Sequence, residues 1–381
     1  MTLNCQRHLF DIPDDVIYLN CAAQSPCLTK SAMDGRKALG RKLQPWNPER
    51  QNVETEMEDC RSLFGQLIGG SKDDVAITFS TSYAVATAAK NLSLKKGQEI
   101  IVLEGQFPSN YYAWSRLVER DNGKMRIIPW PHDFDWTSRV LEALNSNIGI
   151  VALPNCHWMD GSLVDLNKVG LECKKRGIPM VVDATQSIGA FNTDVGLMQA
   201  DYVIASSYKW LLGPDMMGFM YVSPECQNGT PIEDNHSTRE NEKSMKSSAG
   251  YSDNYRKGAR RFDMGAANSM IHLPMTKSAL EQVNYWTVAE IQSTLEILVN
   301  RIADAASSIG FTVAPKCHRA GHFLGLWPQR NLPENLLQRL EEKNIFISLR
   351  GGALRVSPYL FNDLADVDKF LEILDYEISR V

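Results

Sequence analysis

The sequence predicts an α/β fold: a large unit built on a mostly parallel, seven-stranded sheet, with a small C-terminal α+β unit beside it. Three observations predict it. Seven short, almost wholly apolar runs recur between Val75 and Val222. Helix-patterned segments of crossover length separate most of them, which is how parallel strands are joined. Beyond Gly310 the pattern changes to short strands mixed with helices.

Val16-Ile-Tyr-Leu-Asn20 reads as a short strand ahead of a Ser25-Pro26 turn. Ser31 to about Leu43 has helical patterning, broken by Pro45 and Pro48, and a second helix runs from Asn52 to Leu67. Gly69-Gly70 ends that helix, because glycine accepts the left-handed conformation found there. The strands then read Val75–Phe79, Glu99–Leu103, Met125–Pro129, Ile148–Leu153, Pro179–Asp183, Tyr202–Ala205 and Gly218–Val222. Runs this continuously apolar suit a sheet covered on both faces. Residues 226–260 are polar, and such a stretch is either a solvated insertion or a flap over a site. Ile271 to Ile302 is mostly helical, as are Leu336–Lys343 and Leu364–Glu377. The expected division places 15–270 in the large unit, and 1–14 with 271–381 in the small unit and its connecting helix.

Composition narrows the function without naming it. The chain has 381 residues, is 44% hydrophobic, and carries a net charge of −5. That balance argues against a nucleic-acid binder. The start, MTLNCQRHLFDIPDD, lacks the pattern of a secretory signal. No apolar run approaches the ~20 residues of a membrane span. Eight scattered cysteines without a CxxC pair read as reduced thiols in a cytoplasmic protein, with neither a disulfide framework nor a metal site.

The chemistry sits at strand ends. Ile178–Asp183 places a carboxylate at the end of one apolar run, with Gln186 three residues on. Lys209 follows the next run, twenty-six residues past Asp183. Ligands of open α/β sheets bind outside the carboxyl ends of the strands. A lysine for a Schiff base and an acid beside a ring nitrogen are what pyridoxal phosphate requires. Thr78-Phe-Ser-Thr81-Ser82 follows another strand and opens a helix, so hydroxyls and free N–H groups make an anion site there. Taken alone, the same residues would be a simple helix cap. A Walker-type magnesium site would need a GxxxxGK[ST] loop, and the sequence contains none.

Asp183-Ala-Thr-Gln186-Ser and Ser206-Ser-Tyr208-Lys209-Trp resemble fold-type-I pyridoxal-phosphate enzymes of the class V aminotransferase superfamily. This superfamily includes cysteine desulfurases, kynureninases and isopenicillin-N-epimerase-like proteins. The resemblance extends from Tyr18-Leu-Asn-Cys-Ala to Arg355-Val-Ser-Pro. It implies Lys209 as the Schiff-base lysine, Asp183 on the pyridine nitrogen and Gln186 at the ring hydroxyl. Thr81, Ser82, Ser206 and Tyr208 would hold the phosphate, and Phe107 would stack on the ring. Asn155 or His157 would contact substrate or cofactor oxygen, although a histidine beside Trp158 is often a packed residue. Arg355 would bind the α-carboxylate, a bidentate task suited to arginine, with Arg350 a solvated charge. Gly265 and Ala266, after Arg261-Phe-Asp-Met, would reach a partner's phosphate across a homodimer interface.

The resemblance implies an enzyme acting on a small amino acid, by transamination or by β-elimination with C–S or C–C lysis. Epimerisation, or a non-catalytic regulatory role on the same fold, are the alternatives. Residues 346–355 contain no cysteine, which argues against a persulfide-forming desulfurase.

Overall fold

The structure, a computed structural model, describes residues 1–46, 53–240 and 252–379. Pro48, Asn52 and the part of the polar stretch between 241 and 251 lie outside the described residues. β1 (Ile17–Tyr18) is followed by α1 (Thr29–Leu43) and α2 (Val53–Leu67). The large sheet holds β2 (Val75–Thr78), β3 (Glu99–Leu103), β4 (Lys124–Ile128), β5 (Ile148–Pro154), β6 (Met180–Asp183), β7 (Tyr202–Ser206) and β8 (Gly218–Val222). Between them run α3 (Thr81–Asn91), α4 (Tyr112–Asp121), α5 (Trp136–Ala143), α6 (Leu166–Arg176) and α7 (Val195–Met198).

The seven strands lie in the order β2-β8-β7-β6-β5-β3-β4. Those from β7 to β4 are mutually parallel, and β8 runs antiparallel to both of its neighbours. Only residues 207–217 join β7 to β8, too few for the crossover that a parallel pair needs. Two apolar layers cover the sheet. Ala76, Val102, Ile150, Val181 and Ile204 belong to one cluster; Ile77, Ile101, Val151, Val182 and Val203 face the other. This two-sided burial is the physical reason the strands read as unbroken apolar runs.

α8 (His272–Trp286) packs on α1 and α2. α9 (Val288–Ala306) leads into the small α+β unit. The mostly helical stretch is divided at Thr287, whose φ is 62° and whose hydroxyl accepts from Glu290 N. The small unit holds β9 (Phe311–Thr312), β10 (Leu324–Pro328), α10 (Leu336–Glu341), β11 (Ile345–Phe346), β12 (Ser348–Arg350), β13 (Ala353–Val356) and α11 (Leu364–Ser379). A four-stranded antiparallel sheet, β12-β13-β10-β9, organises it. β1 pairs in parallel with β11, and Asn20 bridges to Ser357, so the N-terminal stretch joins this unit beyond residue 14.

The described part of the polar stretch is tied down. Arg239 lies 3.7 Å above the Tyr255 ring, and Asp234 accepts from both residues. Arg61 and Asp263, both buried, form an ion pair that also takes the Ile77 N–H and the Val75 carbonyl of β2. No helix among the described residues is long and apolar enough to cross a membrane.

Candidate active site

The carboxyl ends of β2, β3, β5, β6 and β7 all open on one edge of the sheet. β6 ends at Asp183, 8% exposed, whose Oδ1 accepts from Thr185 N at 3.0 Å. Burial pushes its carboxyl above the usual range, against the Thr185 bonds and the charge of Lys209. β7 ends at Ser206, and the next turn is pinned where Ser207 Oγ donates to the Pro214 carbonyl at 2.6 Å. That turn sends Lys209 inward, to 7% exposure. Its Nζ lies 5.7 Å from the Phe107 ring and 5.6 Å from the Tyr208 ring. Burial, and then the Arg355 charge, bring the amine down from 10.5 to about 8, while Asp183 opposes them. A lysine is desolvated most cheaply when neutral, so the amine is primed as nucleophile or base.

Opposite Lys209 is a hydroxyl cradle. Ser80 caps α3 by accepting from Tyr83 N, which leaves Thr81 at the first helical turn. Thr81 Oγ1 meets Ser206 Oγ at 2.7 Å and Thr185 Oγ1 at 2.9 Å. Three strand ends therefore converge through three hydroxyls beside a helix N-terminus, where positive potential and free N–H groups favour an anion.

The cavity encloses about 610 Å³, its mouth included. Thr81, Ser82, Ser206 and Tyr208 line it, and so do Phe107, Asp183, Gln186 and Lys209. Gln186 is held at both ends of its amide, donating to Ala22 O at 3.0 Å and accepting from Trp210 Nε1 at 2.9 Å. Arg355 is buried nearby; its Nη1 donates to the Trp158 carbonyl at 2.9 Å. Burial and the Arg350 charge lower its pKa to about 9.

His157 and Asn155 stand outside this cavity, and so do Gly265 and Ala266, which were expected at a partner's phosphate. His157 is fully buried behind the cavity wall, its Nε2 at 3.1 Å from Glu104 O and its ring stacked on Trp136. Burial lowers its pKa, so it is a neutral, packed ring. Asn155 donates to Val164 O and lines a separate cavity with Asp165 and Phe191. Gly265 and Ala266 line a third, with Phe79 and Met216, and Gly265 N donates to Glu233.

Sequence reasoning missed Thr185 and Trp158, which also line the cavity beside Lys209. Thr185 stood inside the Asp183–Gln186 motif, so its spacing was a usable signal. Trp158 meets the Phe107 ring edge-on at 5.4 Å and donates to Gly105 O at 2.8 Å. Nothing local marks it over its neighbour His157.

Residues 46–370 match the family model described as Aminotransferase class-V. An uncharacterized aminotransferase, YcbU of Bacillus subtilis, is 24% identical over 80% of this chain and 79% of its own. The apo cysteine desulfurase of Thermococcus onnurineus NA1 superposes with a TM-score of 0.85 at 18% identity, over 100% of both chains. The cystine C-S lyase C-DES, solved with cysteine persulfide, superposes with a TM-score of 0.86 at 16% identity, over 95% of this chain and 98% of that one.

Proposed function

This chain belongs to the aminotransferase class-V family, with the fold of the fold-type-I pyridoxal-phosphate superfamily, and from that premise we propose that it is a pyridoxal-phosphate-dependent enzyme acting at the α-carbon of a small amino acid. One observation carries the reading: a buried lysine, a buried carboxylate and a three-hydroxyl cradle share one cavity. The donor set fits the cofactor. Lys209 would hold its aldehyde carbon, Asp183 its ring nitrogen and Gln186 its ring hydroxyl, with Thr81, Ser82, Ser206 and Tyr208 at its phosphate and Phe107 against the ring. When bound, the cofactor supplies an electron sink for bonds broken at the substrate's α-carbon.

The chain's own residues do the rest. Arg355 binds the α-carboxylate and so fixes which α-bond faces Lys209. Lys209 Nζ would take the α-proton; a base titrating near 8 is well matched to neutral pH. Transamination, or β-elimination with C–S or C–C lysis, completes the reading. Cys317 is exposed, and no cysteine lies between 346 and 355, so a persulfide carrier is absent from the segment before Arg355. We place the enzyme in the cytoplasm as a homodimer, in which Gly265 and Ala266 would serve the partner's phosphate.

The purified chain should absorb near 410–430 nm, roughly where a lysine-bound cofactor does. A band absent from the wild type, or surviving Lys209→Ala, overturns the assignment. An amino-acid panel assayed for keto acids, pyruvate and ammonia separates the reactions. A keto acid formed only with an added acceptor means transamination. Pyruvate and ammonia without one mean elimination.

A further inference from the structure

Arg350 and Arg355 lie on one hairpin. Ser348 pairs with Arg355, and Arg350 with Ala353. Side chains alternate along a strand, so Arg350 and Arg355 share a face. The turn between them is Gly351-Gly352, with φ of 57° and 97°, the double left-handed conformation of a tight hairpin. A Cβ on Gly351 would sit 2.3 Å from Met159 Sδ. The hairpin tip therefore rests on the residue next to Trp158, at the cavity wall, and Arg355 is tied to Trp158 itself.

Both guanidinium charges reach Lys209. Among the described residues, neither pairs with a carboxylate. The charged and titratable groups acting on Arg355 include Arg350, Tyr18, Cys21 and Lys209, and among the described residues its buried Nε has no acceptor. Arg350, half-buried, donates to the carbonyl of Leu349 at 2.9 Å and, among the described residues, enters no ion pair. Among the described residues, Asp183 is the carboxylate whose charge acts most on Lys209. Two like charges on one face are costly unless an anion arrives, and one α-carboxylate answers only one of them.

We propose that the substrate is an amino acid with an acidic side chain, its α-carboxylate held by Arg355 and its second anionic group by Arg350. The proposal rests on the cofactor-dependent reading above. It makes Arg350 the residue that sets specificity, and the side-chain group a carboxylate or a sulfinate.

The test uses the cofactor-loaded full chain. kcat/KM is compared for aspartate, glutamate and cysteine sulfinate against alanine and leucine. Independently of turnover, succinate and glutarate are titrated against butyrate by calorimetry. The expected result is a preference of about 10-fold or more for the dianions in both measurements, the size of a charge-assisted hydrogen bond. Arg350→Met should reduce both preferences to within about 2-fold, and Arg350→Lys should keep part of them. If Arg350→Met does not fold, Arg350→Lys and the wild-type preferences decide. Sulfinate preferred over both carboxylates, or the reverse, identifies the side-chain group. A loaded enzyme that prefers alanine, or an unchanged preference in Arg350→Met, overturns this inference alone. A chain that takes up no cofactor overturns the parent reading, and this one with it.

Discussion

At pH 7 an amine with the ordinary lysine value of 10.5 is neutral in about three chains in ten thousand, whereas one at about 8 is neutral in about one in ten. Lys209 should therefore react with a small electrophile about 300-fold faster than an exposed lysine of equal intrinsic nucleophilicity. The perturbation is pH, applied to the cofactor-free chain, with cyanate as the probe and the modified site read by mass spectrometry. The midpoint for Lys209 should fall near 8, since burial and the charges of Arg355 and Arg350 outweigh Asp183 and Cys21. Arg355→Met should raise that midpoint by about one pH unit without restoring the ordinary value, because burial is the larger cause. Stability gives a second reading. The folded amine releases its proton near 8 and the unfolded one near 10.5. The unfolded chain thus holds more protons between these values, and stability rises with pH across that window. The full penalty, about 3 kcal/mol, stands below pH 8. A labelling midpoint above pH 10 would refute the burial argument and leave Lys209 an ordinary solvated amine.

Three further outcomes follow from the same geometry. Thr81→Val removes the hydroxyl that joins Ser206 and Thr185, and should weaken pyridoxal-phosphate retention about 10-fold, with Thr81→Ser restoring most of it; fluorescence titration of the cofactor-free chain checks this. Arg61→Ala strands the buried Asp263 carboxylate and should cost about 3–5 kcal/mol in denaturant unfolding, whereas an effect under 1 kcal/mol would mean that water replaces the guanidinium. Gly170→Ala would set a Cβ 1.9 Å from the Met198 carbonyl and should lower stability by about 1–3 kcal/mol, measured the same way.

How much was legible depended on how local the cause was. Gly218–Val222 is a strand at the residues the apolar run marks, because burial on both faces leaves no polar position inside it. Asp183 and Lys209 were legible because a charged residue just past such a run can sit only at the sheet edge. Thr287 was not, since a β-branched residue at positive φ contradicts local preference and is held by packing around α8 and α9. The Thr81–Ser206–Thr185 hydroxyl contact closes over more than a hundred residues, so no spacing discloses it. His157 and Trp158 were separated by a loop that folds on itself: His157 N donates to Ser162 O, and Asp160 holds Ser162. That closure decides which of two adjacent rings faces the cavity, and neither ring encodes it.

The pairing of Ile17 with Ile345 has a consequence during synthesis. At roughly 5–20 residues per second, the first strand leaves the ribosome roughly 15–65 seconds before its partner exists. For that interval Val16-Ile-Tyr-Leu19 is an apolar edge with unpaired N–H and C=O groups, open to any passing strand. The nascent chain thus carries this strand unpaired while the residues up to Ile345 are made.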